Sequence, residues 1–276
     1  MRKNFCRFWL LLLAVLVLPR IALAQASGDV TEGELKVDHG QVNWSDHTIT
    51  ATGSGAPNLK APNVAVARLG AERVAKLDAL RNIMEVLKGV RVDSEITVES
   101  EMVTSSKMRS KIQGVIRNFK VLKTKYYSDG GVDLVVQVSL DGQLASTFVK
   151  PGSKAADLPA QGQAKNTGLV IDARGLKAVP ALSPKILDED GKVVYSAEYL
   201  SQEALESTGV VSYFRNIKAA KKDDRVAPNA LVIKALKLGD GSKTNIVLSN
   251  ADAARFRDPA ANLKYLASGK VVLVID

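Results

Sequence analysis

Thiol chemistry has almost no foothold in this chain: among 276 residues the one cysteine is Cys6. A lone cysteine closes no internal disulfide, so stability has to come from packing. Histidine is nearly as scarce, with only His39 and His47, and aromatic side chains make up 5% of the residues. A transition-metal centre would have to recruit Asp38 or Asp46 beside these histidines. Their spacing, eight residues with Gly40 between, matches no known ligand pattern, so no metal site and no cofactor is expected. No serine stands in a Gly-x-Ser-x-Gly elbow, and no catalytic residues are assigned.

What is present begins with a leader. Arg2, Lys3 and Arg7 precede an apolar run from Phe8 to Leu18, and Ala22-Leu23-Ala24 stands before Gln25. That order is a secretory signal peptide over residues 1–24, cleaved between Ala24 and Gln25. The run is too short for a membrane-spanning helix of roughly 20 residues, so no transmembrane segment is expected after processing. Cys6 precedes the run instead of following it, which rules it out as a lipid-bearing residue at the cleavage point. Export to the periplasm or the exterior follows, with a thiol-free mature chain.

The leader carries four cations and no carboxylate, so its loss lowers the formal net charge from +9 to +5. That excess is too small to point to nucleic acid, although anionic wall polymer or lipid headgroups stay open as partners. The length left over suits two domains, each with its own core.

An α+β domain is expected over residues 25–140, a long helix packed on a small, mostly antiparallel sheet. Val66, Leu69, Leu77, Leu80, Met84 and Leu87 recur at helical spacing from about Asn63 to Lys88 and predict the buried stripe. Pro62 marks the start of this helix and Gly89 its end. Arg73 falls inside the stripe and would need a carboxylate there. Ala67, Ala71, Ala75 and Ala79 repeat every four residues on another face, a smooth ridge that is either a candidate interaction face for a second helix or simply good helix-forming sequence. Alternation from Val90 to Val103 predicts a strand with Asp93, Glu95, Glu99 and Glu101 on its outer side, opposite Lys120, Lys123 and Lys125 on a later strand. A shorter helix carries Met108, Ile112, Val115 and Ile116, and two strands join at Ser128-Asp129-Gly130-Gly131.

Residues 141–167, small and polar with Pro151, Gly152, Pro159 and Gly162, are expected to be a linker. A layered α/β domain is expected over 168–276. Strands are predicted at Gly168–Asp172, Ala230–Leu238, Asn245–Leu248 and Lys270–Ile275, with a hairpin from Lys185 to Tyr195. Helices are predicted over 201–207 and 250–266, the latter capped by Ser249 and broken at Pro259. Val271–Ile275 is apolar without alternation and should be covered on both faces.

Three charged segments invite functional readings. Gly239-Asp240-Gly241-Ser242-Lys243-Thr244 lacks the glycine that a phosphate loop places before its lysine, and is expected to be a hairpin turn. Asp188, Glu189 and Asp190 lack the alternating ligands of a calcium loop and are expected to form a solvated turn. Lys218 to Arg225 mixes both signs and is expected to be a solvated loop or a docking patch. Asp172 and Arg174, at the end of an α/β strand, are the candidate cleft residues for a small ligand.

Ala51-Thr52-Gly53-Ser54-Gly55, Gly70-Ala71, Asp78-Ala79-Leu80-Arg81-Asn82, Gly89-Val90-Arg91-Val92-Asp93-Ser94 and Gly114-Val115-Ile116 together resemble the LPP-type bacterial envelope lipoproteins and the N-terminal domain of flagellar assembly protein T. The segment Thr167 to Leu176 is similar to C-terminal regions of uncharacterised secreted proteins. The resemblance over about residues 49–140 implies a non-enzymatic structural role at the outer membrane or flagellar base. The expected function is therefore that of a structural or assembly adaptor in the cell envelope, with envelope or flagellar proteins as partners and a homo-oligomer left open. A periplasmic binding module for a small ligand or cell-wall fragment is the alternative.

Overall fold

The computed structural model describes residues 35–37, 40–163, 165–258 and 260–276. The leader, its cleavage point at Ala24 and Gln25, His39 and Pro259 lie outside the described residues.

Strands β1 (Leu35–Val37), β2 (Gly40–Asn43) and β3 (Thr48–Gly55) lead into helix α1 (Val64–Lys88). Helices α2 (Val98–Thr104) and α3 (Ser106–Ile116) and strands β4 (Lys120–Tyr126) and β5 (Val132–Ser139) complete the N-terminal lobe. Its sheet runs β1-β2-β3-β5-β4 with every neighbour antiparallel. On β5 the residues Val132, Leu134, Val136 and Val138 are buried while those between them are partly open, as period-two alternation requires. Helix α1 starts where the Asn63 side chain accepts a hydrogen bond from Val66 N, and it lies over β3 and β5.

The buried face of α1 is the alanine ridge, continued by Ile83, Val86 and Leu87, and of the expected bulky stripe Leu87 alone is fully buried. Ala71, Ala75 and Ala79 are fully buried, whereas Val66, Leu69 and Leu77 are exposed and Leu80 and Met84 only partly covered. The cause lies in β3. A Cβ on Gly53 would stand 2.2 Å from Ala75 O, and one on Gly55 1.9 Å from Ala71 O, so the helix backbone rests directly on the strand backbone. Only alanines opposite glycines permit that approach. The buried Asn82 amide donates to Thr52 O at 2.7 Å and fastens the same contact. Arg73 therefore points to solvent with no need of a buried carboxylate.

Residues 90–103 are not a strand. A single bridge pairs Arg91 with Thr97, the Asp93 carboxylate accepts from Glu95 N and Ile96 N, and Thr97 caps α2 in a reciprocal box with Ser100. These side-chain bonds outcompete a strand ladder and place Glu99 and Glu101 in a helical first turn, where acidic groups are favoured. Lys120, Lys123 and Lys125 consequently face no acidic strand.

Past β5 come α4 (Ala145–Phe148), β6 (Gly168–Asp172), β7 (Ile186–Leu187), β8 (Val193–Tyr195), α5 (Gln202–Thr208), β9 (Ser212–Phe214) and α6 (Ile217–Lys222). They are followed by β10 (Ala230–Lys234), β11 (Lys237–Leu238), β12 (Ile246–Val247), α7 (Asn250–Ala254), α8 (Lys264–Ala267) and β13 (Val271–Val274). A parallel sheet β10-β6-β13-β9 forms the centre, and a smaller sheet β11-β12-β7-β8 stands beside it. Each face of the parallel sheet is covered. Leu169, Ile171, Val271 and Leu273 join the large core with α5, α7 and α8, while Val170, Val272 and Val274 pack against Ala220 of α6 and Val226. Every residue of β13 is buried, as its unbroken apolar run predicts. The whole is an α+β lobe followed by a layered α/β lobe.

Four further segments depart from their sequence reading. Residues 141–167 are not simply a spacer, because Leu144, Ala145 and Val149 are buried in the cores. Residues 217–222 of the charged segment form α6, capped by Asn216. Residues 230–238 divide into β10 and β11, which belong to different sheets. The 250–266 helix survives only as α7, with Ser249 as its cap, and α8 starts afresh at Lys264.

The two large cores meet at one seam. Trp44, Phe148 and Leu182 pack against both, and Trp44 meets Tyr213 edge-on with ring centroids 5.5 Å apart. Ser45 Oγ donates to Tyr213 O at 2.7 Å, and Leu182 N and Ser183 N donate to Arg91 O and Val92 O at 3.0 and 2.7 Å. No described helix is long and apolar enough to cross a membrane.

Candidate functional site

Helix α1 is apolar on two opposite faces. Its inner face is spent on the sheet, and its outer face carries Val66, Leu69 and Leu77 at 45, 58 and 68% exposure. Arg73 lies among them and makes no ion pair within the described residues. Toward the C-terminal end α3 covers part of this face, leaving a groove of about 280 Å³ where Leu80 and Met84 meet Gln113 and Ile116. On the edge strand β4, Val121, Leu122 and Tyr126 are also exposed, and Arg68 near the start of α1 lies 5.5 Å from the Tyr126 ring centroid. A helix with bulky apolar residues bare on one side is incomplete by itself. Of the ridge residues, Ala71, Ala75 and Ala79 already serve the chain's own sheet, and Ala67 is partly open, so this face offers no free surface to a second helix.

Asp172 and Arg174 do come together, but with each other. Arg174 Nε and Nη2 donate to the two Asp172 carboxylate oxygens at 2.8 and 2.7 Å. The Arg174 guanidinium holds that carboxyl below the usual carboxylate range despite partial burial. Next to them the Asp276 carboxylate accepts from Gly175 N and Lys177 N at 2.7 and 3.0 Å. This strand end is thus a closed polar cluster whose groups satisfy one another, and neither residue lines the groove between α1 and α3 or the cleft at the entry to β6.

Asp188 is buried and not solvated. Burial works to raise its pKa, but the Arg257 guanidinium, 2.5 Å away, and Lys192 N at 2.8 Å outweigh it and hold the carboxyl below its ordinary value. Gly239–Thr244 is the expected turn, joining β11 to β12 with Gly239 N bonded to Asn245 O.

His47 gives the seam a polar centre. Its Nδ1 lies 2.7 Å from Asp141 Oδ1, while the buried Nε2 has no partner among the described residues. Gly209, at φ +67°, makes room for the pair, because a Cβ there would sit 2.5 Å from the Asp141 oxygen. His47 and Asp46 do not converge, since Asp46 is bonded to Asn43. Among the described residues no three His, Cys, Asp or Glu side chains are grouped for metal binding.

A larger cleft of about 600 Å³ opens where the segment entering β6 faces the stretch between α7 and α8. Lys165, Arg255 and Tyr265 contribute to its lining, and sequence reasoning assigned none of them. They come from segments some 90 residues apart, so no local motif could have announced them.

Residues 168–276 match a family model described as the second domain of Treponema pallidum Tp0624, a match that spans the α/β lobe and less than half of the chain. No curated protein matches the chain.

Proposed function

We propose that this chain is a non-enzymatic cell-envelope protein, exported to the periplasm or beyond, that acts as a structural or assembly adaptor. The docking surface is the outer face of α1. Its carrying observation is the bare stripe of Val66, Leu69 and Leu77 on a helix whose opposite side already builds the core. The occupant is a partner protein presenting an apolar stripe with a carboxylate level with Arg73, because that guanidinium sits amid apolar side chains and forms no ion pair among the described residues, the adjacent Glu72 being paired with Lys76. The resemblance over residues 49–140 supports an envelope assembly such as the flagellar base as the setting.

The double variant Leu69→Asp/Leu77→Asp tests this. In gentle envelope extracts the wild type is expected in a large complex and the variant as a free monomer of unchanged thermal stability. If the wild type itself runs as a free monomer, and deletion leaves motility and surface structures unaltered, the adaptor reading fails.

A further inference from the structure

The cleft of about 600 Å³ beside β6 and β10 has the size of a small-molecule site. Its apolar part is Leu231 of β10 with Phe256 and Leu263, the last two buried. Its polar part is biased in sign. Lys165 forms no ion pair among the described residues, and Arg255 Nη1 stands 3.6 Å from Asp252 Oδ1, too far for a hydrogen bond, so its N–H groups remain available. The one carboxylate in the lining, Asp258, already accepts from Ala260 N at 2.9 Å. Asn262 is likewise spent, donating to Ala160 O and Gly162 O. The side-chain amides of Gln163 and Asn166 bond to no described group, and each both donates and accepts, which is what ligand hydroxyls need. Tyr265 is 93% buried by its 7% exposure, lines the cleft, and keeps a hydroxyl without a partner among the described residues. An unpartnered buried hydroxyl is costly, and a ligand that reached it would relieve that cost.

We propose that this cleft binds a sugar-sized organic acid, its oxyanion held by Lys165 and Arg255, its hydroxyls by the Gln163 and Asn166 amides, and its ring against Leu231 and Phe256. A guanidinium and an ammonium bind carboxylate and phosphate alike, so the shared chemistry is an oxyanion on a hydroxylated ring. This surface is separate from the outer face of α1, and the proposal stands or falls independently of the adaptor reading.

Isothermal titration calorimetry on the mature chain, with thermal melts alongside, compares N-acetylmuramic acid, glucose 6-phosphate and the neutral N-acetylglucosamine. At least one acid is expected to bind and raise Tm, with the neutral sugar about tenfold weaker or more, the equivalent of one charge-assisted contact. Binding of the first acid alone assigns a sugar carboxylate, and binding of the second alone a sugar phosphate. Lys165→Ala and Arg255→Ala, both exposed positions, should melt as the wild type does yet bind the acid about tenfold more weakly each. Leu69→Asp/Leu77→Asp should bind it normally. The proposal is overturned if neither acid binds at about 10 mM, if the neutral sugar binds equally well, or if the two cation variants bind like the wild type.

Discussion

Gly53 and Gly55 show how much a missing side chain can decide. Each stands where a Cβ would fall inside the backbone of α1, and that backbone has no alternative position while Ala71, Ala75 and Ala79 remain in contact. Gly53→Ala is expected to destabilise the protein by about 3 kcal/mol, the upper end of ordinary overpacking, as read from urea denaturation. Charge at single residues sets the acid response. Asp172 and Asp188 both titrate below the usual carboxylate range, through Arg174 in the first case and, against the pull of burial, through Arg257 and Lys192 N in the second. Unfolded, each returns to about 3.9, so the unfolded chain takes up the protons first as pH falls. Their stabilisation is complete above that value and is lost as pH drops through the lowered folded pKa. The urea midpoint of the wild type should therefore fall below about pH 4. The Asp172→Asn/Asp188→Asn variant should be less stable at pH 7 and lose less on acidification. A variant curve parallel to the wild type across pH 7 to 3 would remove these carboxylates from the account.

Helix α1 was legible as an element and illegible in orientation. Pro62, Gly89 and the 3.6-residue period mark its ends and its length, and the expected span from about Asn63 to Lys88 is kept to within a residue. Its stripe of large apolar residues looks like the buried side because hydrophobic area usually decides that choice. Here closeness of approach decides it instead, and the flat alanine face wins because β3 offers glycine beneath it. A paired measurement checks the assignment. Leu77→Ala should change stability by less than about 0.5 kcal/mol, since its side chain is exposed, whereas Ala75→Leu should cost about 1–3 kcal/mol by forcing the helix off the sheet. The opposite ranking would restore the bulky stripe to the core. The failure at 90–103 has a similar origin: alternation of apolar and acidic residues suits a strand, but the Asp93 and Thr97 side chains capture the backbone donors locally and turn the second half into α2.

The molecule as a whole is two lobes joined by a small mixed seam. Trp44, Phe148 and Leu182 contact both cores, and the His47–Asp141 pair lies in the same region. Trp44 is the one tryptophan in the described residues, so its fluorescence reports this seam directly. Fluorescence and far-UV circular dichroism should show coincident thermal transitions in the wild type, because neither lobe retains its neighbour's support once the seam opens. Trp44→Ala, at a half-buried position, is expected to cost about 2 kcal/mol, somewhat less than truncation of a fully buried ring. It should also separate calorimetric unfolding into two steps. A single unshifted transition in that variant would mean the lobes are coupled elsewhere.

Features that depend on a few neighbouring residues were determined by the amino-acid sequence alone: the cap at Ser249, the turn between β4 and β5, the unbroken apolar run of β13 and the alternation of β5. Their preferences act within a turn of helix or a few strand residues, so they are present before any tertiary contact forms. The tertiary structure decided which face of α1 turns inward, that Asp172 and Arg174 satisfy each other, and that Lys165 and Arg255 line one cleft. Each of those outcomes depends on what chain folding brings alongside a residue, information that no local pattern contains.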